Sequence, residues 1–154
     1  MITTVTGHFK NFKVAVETET DDFNTTSSIL FVAAIDSIET TNIDRNKHLL
    51  SAEFFNAEKY PEIQFVTKKY EGNADETKLY GDLTIRDITR SIAVNVEFGG
   101  IVVDPYGQTK AGFTIETKIS RKEFGLTYSP LTEAGGVVIS DEIRIQGELQ
   151  LIKQ

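Results

Sequence analysis

Leu79-Tyr80-Gly81-Asp82-Leu83-Thr84-Ile85, Arg86-Asp87-Ile88-Thr89 and Ile92-Ala93-Val94-Asn95-Val96-Glu97-Phe98 decide the fold. In the first run Leu79, Gly81, Leu83 and Ile85 alternate with Tyr80, Asp82, Thr84 and Arg86. In the last, Ile92, Val94, Val96 and Phe98 alternate with Ala93, Asn95 and Glu97. A period of two gives each strand one dry and one wet face. The link from Arg86 to Thr89 is short enough for a tight antiparallel return. Outward from this hairpin the pattern repeats. Phe12, Val14 and Val16 alternate with polar or small residues, as do Ile63, Phe65 and Thr67. The series from Ala111 to Ile119 and from Ile143 to Leu151 do the same. Residues 28–36 are apolar on both faces, which calls for a cover on the outer side.

The links read as turns. Asp21-Asp22-Phe23-Asn24, Gly72-Asn73-Ala74-Asp75 and Asp104-Pro105-Tyr106-Gly107 carry the Asp, Asn, Pro and Gly that turns favour. Short links between alternating strands make an antiparallel meander rather than βαβ units. Residues 41–60 break the period. Asn42 or Asp44 is placed to cap a short helix over residues 45–50, Ser51 a second turn, and Pro61 forces Tyr60 out of helical geometry. This segment is the expected cover for the doubly apolar strand or for one end of a barrel. Six to eight such strands bury their dry faces by closing on themselves. The expected fold is all-β: an elongated antiparallel barrel, one domain over residues 1–154, with a short helical segment near 43–56. A barrel of about eight strands lies between a side-chain-filled core and a ligand cavity, and both readings stay open.

Sixteen basic against 23 acidic residues give a net charge of −7, which offers no electrostatic reason to hold nucleic acid. No cysteine is present, so disulfides, thiol nucleophiles and thiolate metal sites are excluded. Two histidines, His8 and His48, do not make a three-histidine metal site. No apolar run is long enough to span a membrane as a helix. Residues 1–20 lack a basic start followed by an apolar block, so no signal peptide is read there, and the compartment stays open between periplasm and cytoplasm. Motifs of nucleophile elbows, phosphate loops, zinc proteases and calcium loops are missing. Ser140-Asp141 with a histidine is the only triad material, and it lacks an elbow. No catalytic residue, cofactor or metal is therefore assigned.

Three features carry the candidate site. Gly81, Gly112 and Gly147 interrupt strands, for barrel curvature or to leave room for a ligand chain. Ten phenylalanines and no tryptophan are present, and Phe31, Phe65, Phe98 and Phe113 stand on dry faces. Arg45 in the short helix and Arg121 at the end of a strand stand near the barrel ends, as staples to carboxylates or as a polar mouth for a head group.

Two of these regions carry a resemblance. Thr41-Asn42-Ile43-Asp44-Arg45-Asn46-Lys47-His48-Leu49-Leu50-Ser51-Ala52-Glu53-Phe54-Phe55, followed by Tyr60-Pro61-Glu62-Ile63-Gln64-Phe65, is similar to the T-N-x-x-R-D-x-H-L-x-S-x-D-F-F…Y-P-x-I-x-F signature of the YceI-like family. Gly81-Asp82-Leu83-Thr84-Ile85, Phe98-Gly99-Gly100, Gly112-Phe113, Arg121-Lys122-Glu123-Phe124-Gly125 and Asp141-Glu142-Ile143 follow in the family's order. The resemblance runs from Gly7 to Lys153. It departs at Asn46, where the family has Asp, and in a W-x-x-D-x-x-H-S-x-I-x-F strand that the family carries ahead of the position of Met1.

The resemblance implies a lipocalin-like barrel that binds, stores or transports a polyisoprenoid or another long-chain lipid, such as an isoprenoid quinone or prenyl phosphate. It implies a bacterial, often periplasmic, often dimeric protein without catalysis. The alternative it leaves is an enzyme or accessory factor of isoprenoid quinone metabolism. On this reading Phe31, Phe65, Leu83, Ile85, Val96, Phe98, Phe113 and Ile115 line an apolar tunnel, with Arg45 and Arg121 at its mouth. A missing strand would leave two open edges, so either a homodimer across the gap or a lower stability than that of a version extended upstream is expected.

Overall fold

The computed structural model of the chain describes residues 5–18, 26–72, 77–128 and 140–154. The sequence-predicted turn at 21–24 and most of that at 72–75 lie outside these residues. In chain order the elements are β1 (His8–Phe9), β2 (Phe12–Thr18), β3 (Thr26–Ala34), β4 (Ile38–Glu39), α1 (Ile43–Leu50), β5 (Glu62–Gly72), β6 (Thr77–Ile85), β7 (Ile88–Val103), β8 (Thr109–Ser120) and β9 (Glu142–Ile152). Short 3-10 turns sit at Ile35–Ser37 and Arg121–Phe124.

Seven strands form one antiparallel sheet in the order β2-β3-β5-β6-β7-β8-β9, and β1 pairs separately with β4. The sheet curls into a half-barrel of lipocalin-like type. From β5 to β8 each strand pairs with the next in sequence, the meander that short links dictate, whereas the β3–β5 connection carries β4 and α1 and the β8–β9 connection is also long. Among the described residues β2 and β9 each have one strand partner, so the curl is open between them.

The alternation fixes the register. Phe31 stands across from Phe65, Phe65 from Leu83, Leu79 from Val94, Val96 from Ile115 and Ile115 from Gly147. A slip by one residue would turn each of these sets to water. The β6–β7 hairpin closes on Arg86 and Asp87 alone, with Ile85 already opposite Ile88 and Arg86 at φ 56°. At the other end of β7, Asp104 accepts from the Gly107 N–H at 3.0 Å, and Gly107 takes φ 81°.

The core lies at one end of the curl. Ala33, Ile35, Ile63, Leu83, Ile85, Ile119, Phe124 and Leu126 are buried there, with Phe9, Leu50, Phe55 and Ala57 packed against them. Asn42 caps α1, its side-chain oxygen accepting from the Arg45 N–H at 3.0 Å, so the helix begins two residues before the expected Arg45. Ser51 ends the helix instead of capping the next turn with its side chain: its hydroxyl donates to the His48 carbonyl at 2.5 Å. The 41–60 segment thus covers the end of the curl. The outer face of β3 stays in part uncovered, since Leu30 and its neighbour Val66 remain exposed.

Candidate functional site

The concave face is built from alternate residues of the seven strands. Phe12, Val14 and Val16 of β2 share it with Ile29, Phe31 and Ala33 of β3, opposite which they pair. Val96, Phe98, Phe113 and Ile115 continue it across β7 and β8, and Gly147, Leu149 and Leu151 across β9. The sequence-predicted lining residues therefore share one face but not one environment. Phe65, Leu83 and Ile85 are buried in the core at the packed end. Phe31, Val96, Phe113 and Ile115 are half-buried, and Phe98 is 47% exposed. The Phe98 and Phe113 rings meet at 5.2 Å between centroids. The apolar face thus runs from a filled end to an end open to water.

A bulge extends that face. β7 shifts register between Phe98 and Gly100, and Gly100 adopts φ 112°, a conformation that favours glycine. Phe98 pairs with Phe113 and Ile101 with Ala111, two residues of β8 that point the same way. Without the extra residue Phe98 and Ile101 would face opposite sides. The Gly99-Gly100 pair is therefore the device that keeps Ile101 on the concave face. No sequence signal short of the register would have added Ile101 to the lining.

The strand glycines separate by cause. A Cβ on Gly81 would collide with the Val66 carbonyl oxygen and come within 2.7 Å of the Phe65 ring. That space is already filled by an aromatic side chain. Gly147 lies against Ile115, whose Cγ1 would be 3.2 Å from a Cβ, and Gly112 faces open space.

Both arginines lie at the packed end. Arg121 is 2% exposed; its Nε donates to the Ser140 carbonyl at 2.8 Å, and Nη1 donates to those of Leu126 at 2.5 Å and Tyr128 at 2.8 Å. It ties the 3-10 turn to the chain entering β9. Arg45 is half-buried, with Nη1 donating to the Thr40 carbonyl at 3.4 Å. Around it Thr40 donates from both its N–H and its hydroxyl to the Asn46 side-chain oxygen, at 2.9 and 2.6 Å. Glu39 accepts from the Thr41 N–H at 2.7 Å and from Asn46 at 3.2 Å, and these bonds, the first above all, hold its carboxyl below the usual range. Asn46 thus fills its place by hydrogen bonding, with no charge of its own.

The polar groups raised as triad material have other partners. The Asp141 carboxylate accepts from the Ser120 hydroxyl at 2.5 Å and the Lys122 N–H at 3.1 Å, which lowers its pKa, the hydroxyl contributing most. Ser140 donates to the Glu142 carbonyl at 3.2 Å. His48 meets Glu53 at 2.7 Å and lies edge-on to Phe54 and Tyr128, each 4.9 Å away between centroids. Among the described residues no cluster of three His, Asp or Glu is placed to hold a metal. Among the described residues no helix is long and apolar enough to cross a membrane.

Comparison with known proteins agrees with this geometry. The family model of the YceI-like domain matches residues 1–151. A UPF0312 protein of Staphylococcus aureus is 33% identical over 151 residues, covering 97% of this chain and 85% of that protein. The crystal structure of the Campylobacter jejuni YceI protein superposes with a TM-score of 0.86 at 29% identity, over 100% of this chain and 88% of that one. BcnA of Burkholderia cenocepacia shares the fold, with a TM-score of 0.78 at 20% identity, over 94% of this chain and 86% of that one. The chain belongs to the YceI-like domain family, whose lipocalin-like fold binds hydrophobic ligands.

Proposed function

We propose that the protein binds and carries a polyisoprenoid or another long-chain lipid along its concave face, without catalysing a reaction, and that two copies pair through their open sheet edges. The observation that carries the reading is the gradient along that face. Apolar side chains continue past the buried core into half-buried Val96, Phe113 and Ile115 and exposed Phe98. Large apolar groups on a concave surface gain free energy when covered. Each methylene-sized group of a bound chain contributes about 0.8 kcal/mol, less the cost of ordering it. Such contacts have no direction, so the face selects for length and shape more than for chemistry.

The placement of the cations bears on the head group. Arg121 is committed to three backbone carbonyls at the packed end, away from Phe98. A lipid on the exposed face therefore enters by its tail or leaves a head group near the open end. Organic extraction of the purified protein followed by mass spectrometry tests the reading. The wild type is expected to release a long-chain lipid, and Phe113→Glu, folded by circular dichroism, to release none. Equal lipid in both proteins would overturn the assignment of this face.

A further inference from the structure

We propose that the tip of the β7–β8 hairpin inserts into the interfacial layer of a lipid bilayer. β7 ends in three consecutive apolar residues, Ile101, Val102 and Val103, which are 40%, 61% and 67% exposed. Consecutive strand residues point to opposite faces, so the β7 arm of the tip is apolar and wet on both sides. Ile101 stands with Ala111 and Leu151 on the concave side; Val102 stands in one row with Lys110 and exposed Ile152 on the convex side. A blade apolar on both faces matches a medium that surrounds it.

The apex suits the same medium. Tyr106 is 91% exposed at the turn, and an aromatic ring with a hydroxyl is the side chain favoured where hydrocarbon meets water. The tip's charges are internally matched. The Asp104 carboxylate accepts from the N–H groups of Tyr106 at 2.8 Å and Gln108 at 2.9 Å and pairs with Lys110 Nζ at 3.0 Å. The Asp104 N–H donates to the Gln108 carbonyl at 2.9 Å, so the turn also satisfies its own backbone. Pairing and hydrogen bonding make it less costly to move these two charges out of bulk water than to move them as separated ions. The chain as a whole carries −7, so attraction to anionic head groups is not the driving force.

The location gives insertion a purpose. The tip continues the concave apolar face beyond Phe98 at the open end of the curl, where a lipid tail would pass between protein and bilayer. That purpose rests on the proposed lipid carriage; insertion itself does not. The chain contains no tryptophan, so Tyr106→Trp places a single indole at the apex. With phosphatidylcholine vesicles its emission is expected to shift to the blue, to the same extent at low and high salt. Val102→Asp with Val103→Asp in that background is expected to weaken vesicle binding by roughly tenfold or more. Leu30→Asp, on the outer face far from the tip, is expected to leave it unchanged. Emission that stays that of water-exposed indole at saturating lipid would overturn the proposal. So would a blue shift that grows with protein concentration in the absence of vesicles, which would assign the tip to a second copy. Insertion is read from the indole and carriage from extracted lipid, so either can fail alone.

Discussion

Gly81 shows how one residue can be legible in its place and hidden in its reason. Its phase with Leu79, Leu83 and Ile85 puts it on the dry face, and the structure has it there, opposite Thr67 and Ile92. Curvature and ligand room are the two reasons the sequence offers. The actual one is the Phe65 ring lying over it from the neighbouring strand, with the Val66 carbonyl oxygen beneath any added Cβ. That depends on register between strands, which no period within one strand contains. Gly81→Ala is expected to destabilise the protein by about 1–3 kcal/mol in urea unfolding, the usual scale of overpacking. Gly112→Ala, with nothing within 4 Å of its Cβ, is expected to stay within about 0.5 kcal/mol. Equal effects at the two sites would show that Phe65 moves aside at no cost.

At the scale of elements, the strands announce themselves by alternation, and the packed end does not. The sequence marks Arg121 as a candidate cation for a staple or a mouth, yet the 3-10 turn Arg121–Phe124 buries Phe124 and the whole of Arg121. The turn is anchored by Arg121, which donates to the carbonyls of Leu126, Tyr128 and the more distant Ser140, and by a carboxylate that accepts from the Lys122 N–H, a pattern without a sequence signature. Asp141 is part of that anchor. Its carboxyl is held below the ordinary 3.8, first by the Ser120 hydroxyl and then by the Lys122 N–H. A depressed folded-state pKa contributes stability that is present above the unfolded value and lost as pH falls through the folded one. Glu39 and Asp104 are shifted in the same direction and add to the same acid limb. Denaturation at pH 7 and at pH 3 should therefore show a smaller acid loss in Asp141→Asn than in the wild type. An identical loss would mean that Asp141 keeps the same affinity for its proton in the unfolded chain.

At the scale of the molecule, the curl leaves one problem unsolved: β2 and β9 each have a backbone edge without a strand partner among the described residues. The dry-face series of β9 signals a strand that wants neighbours, though it does not say on which side. Edges of this kind are usually blunted by inward charges or proline. Ile143, Ile145, Leu149 and Leu151 point inward along β9 instead. An antiparallel pair of two β9 strands centred on Gly147 sets Ile145 against Leu149 and Gln146 against Glu148, with no like charges opposed. The two-fold axis of that pairing stands perpendicular to the sheet, so the two concave faces join on the same side. A homodimer built this way doubles the length of apolar surface offered to one lipid tail. Sedimentation of the wild type is expected to show a concentration-dependent dimer. Leu149→Lys should be monomeric, because an inward lysine reaches water at an open edge but is buried when a second strand covers it. Val16→Lys makes the matching change on β2 and should leave the dimer intact. A Leu149→Lys protein that still dimerises, or a Val16→Lys protein that does not, would move the interface away from β9.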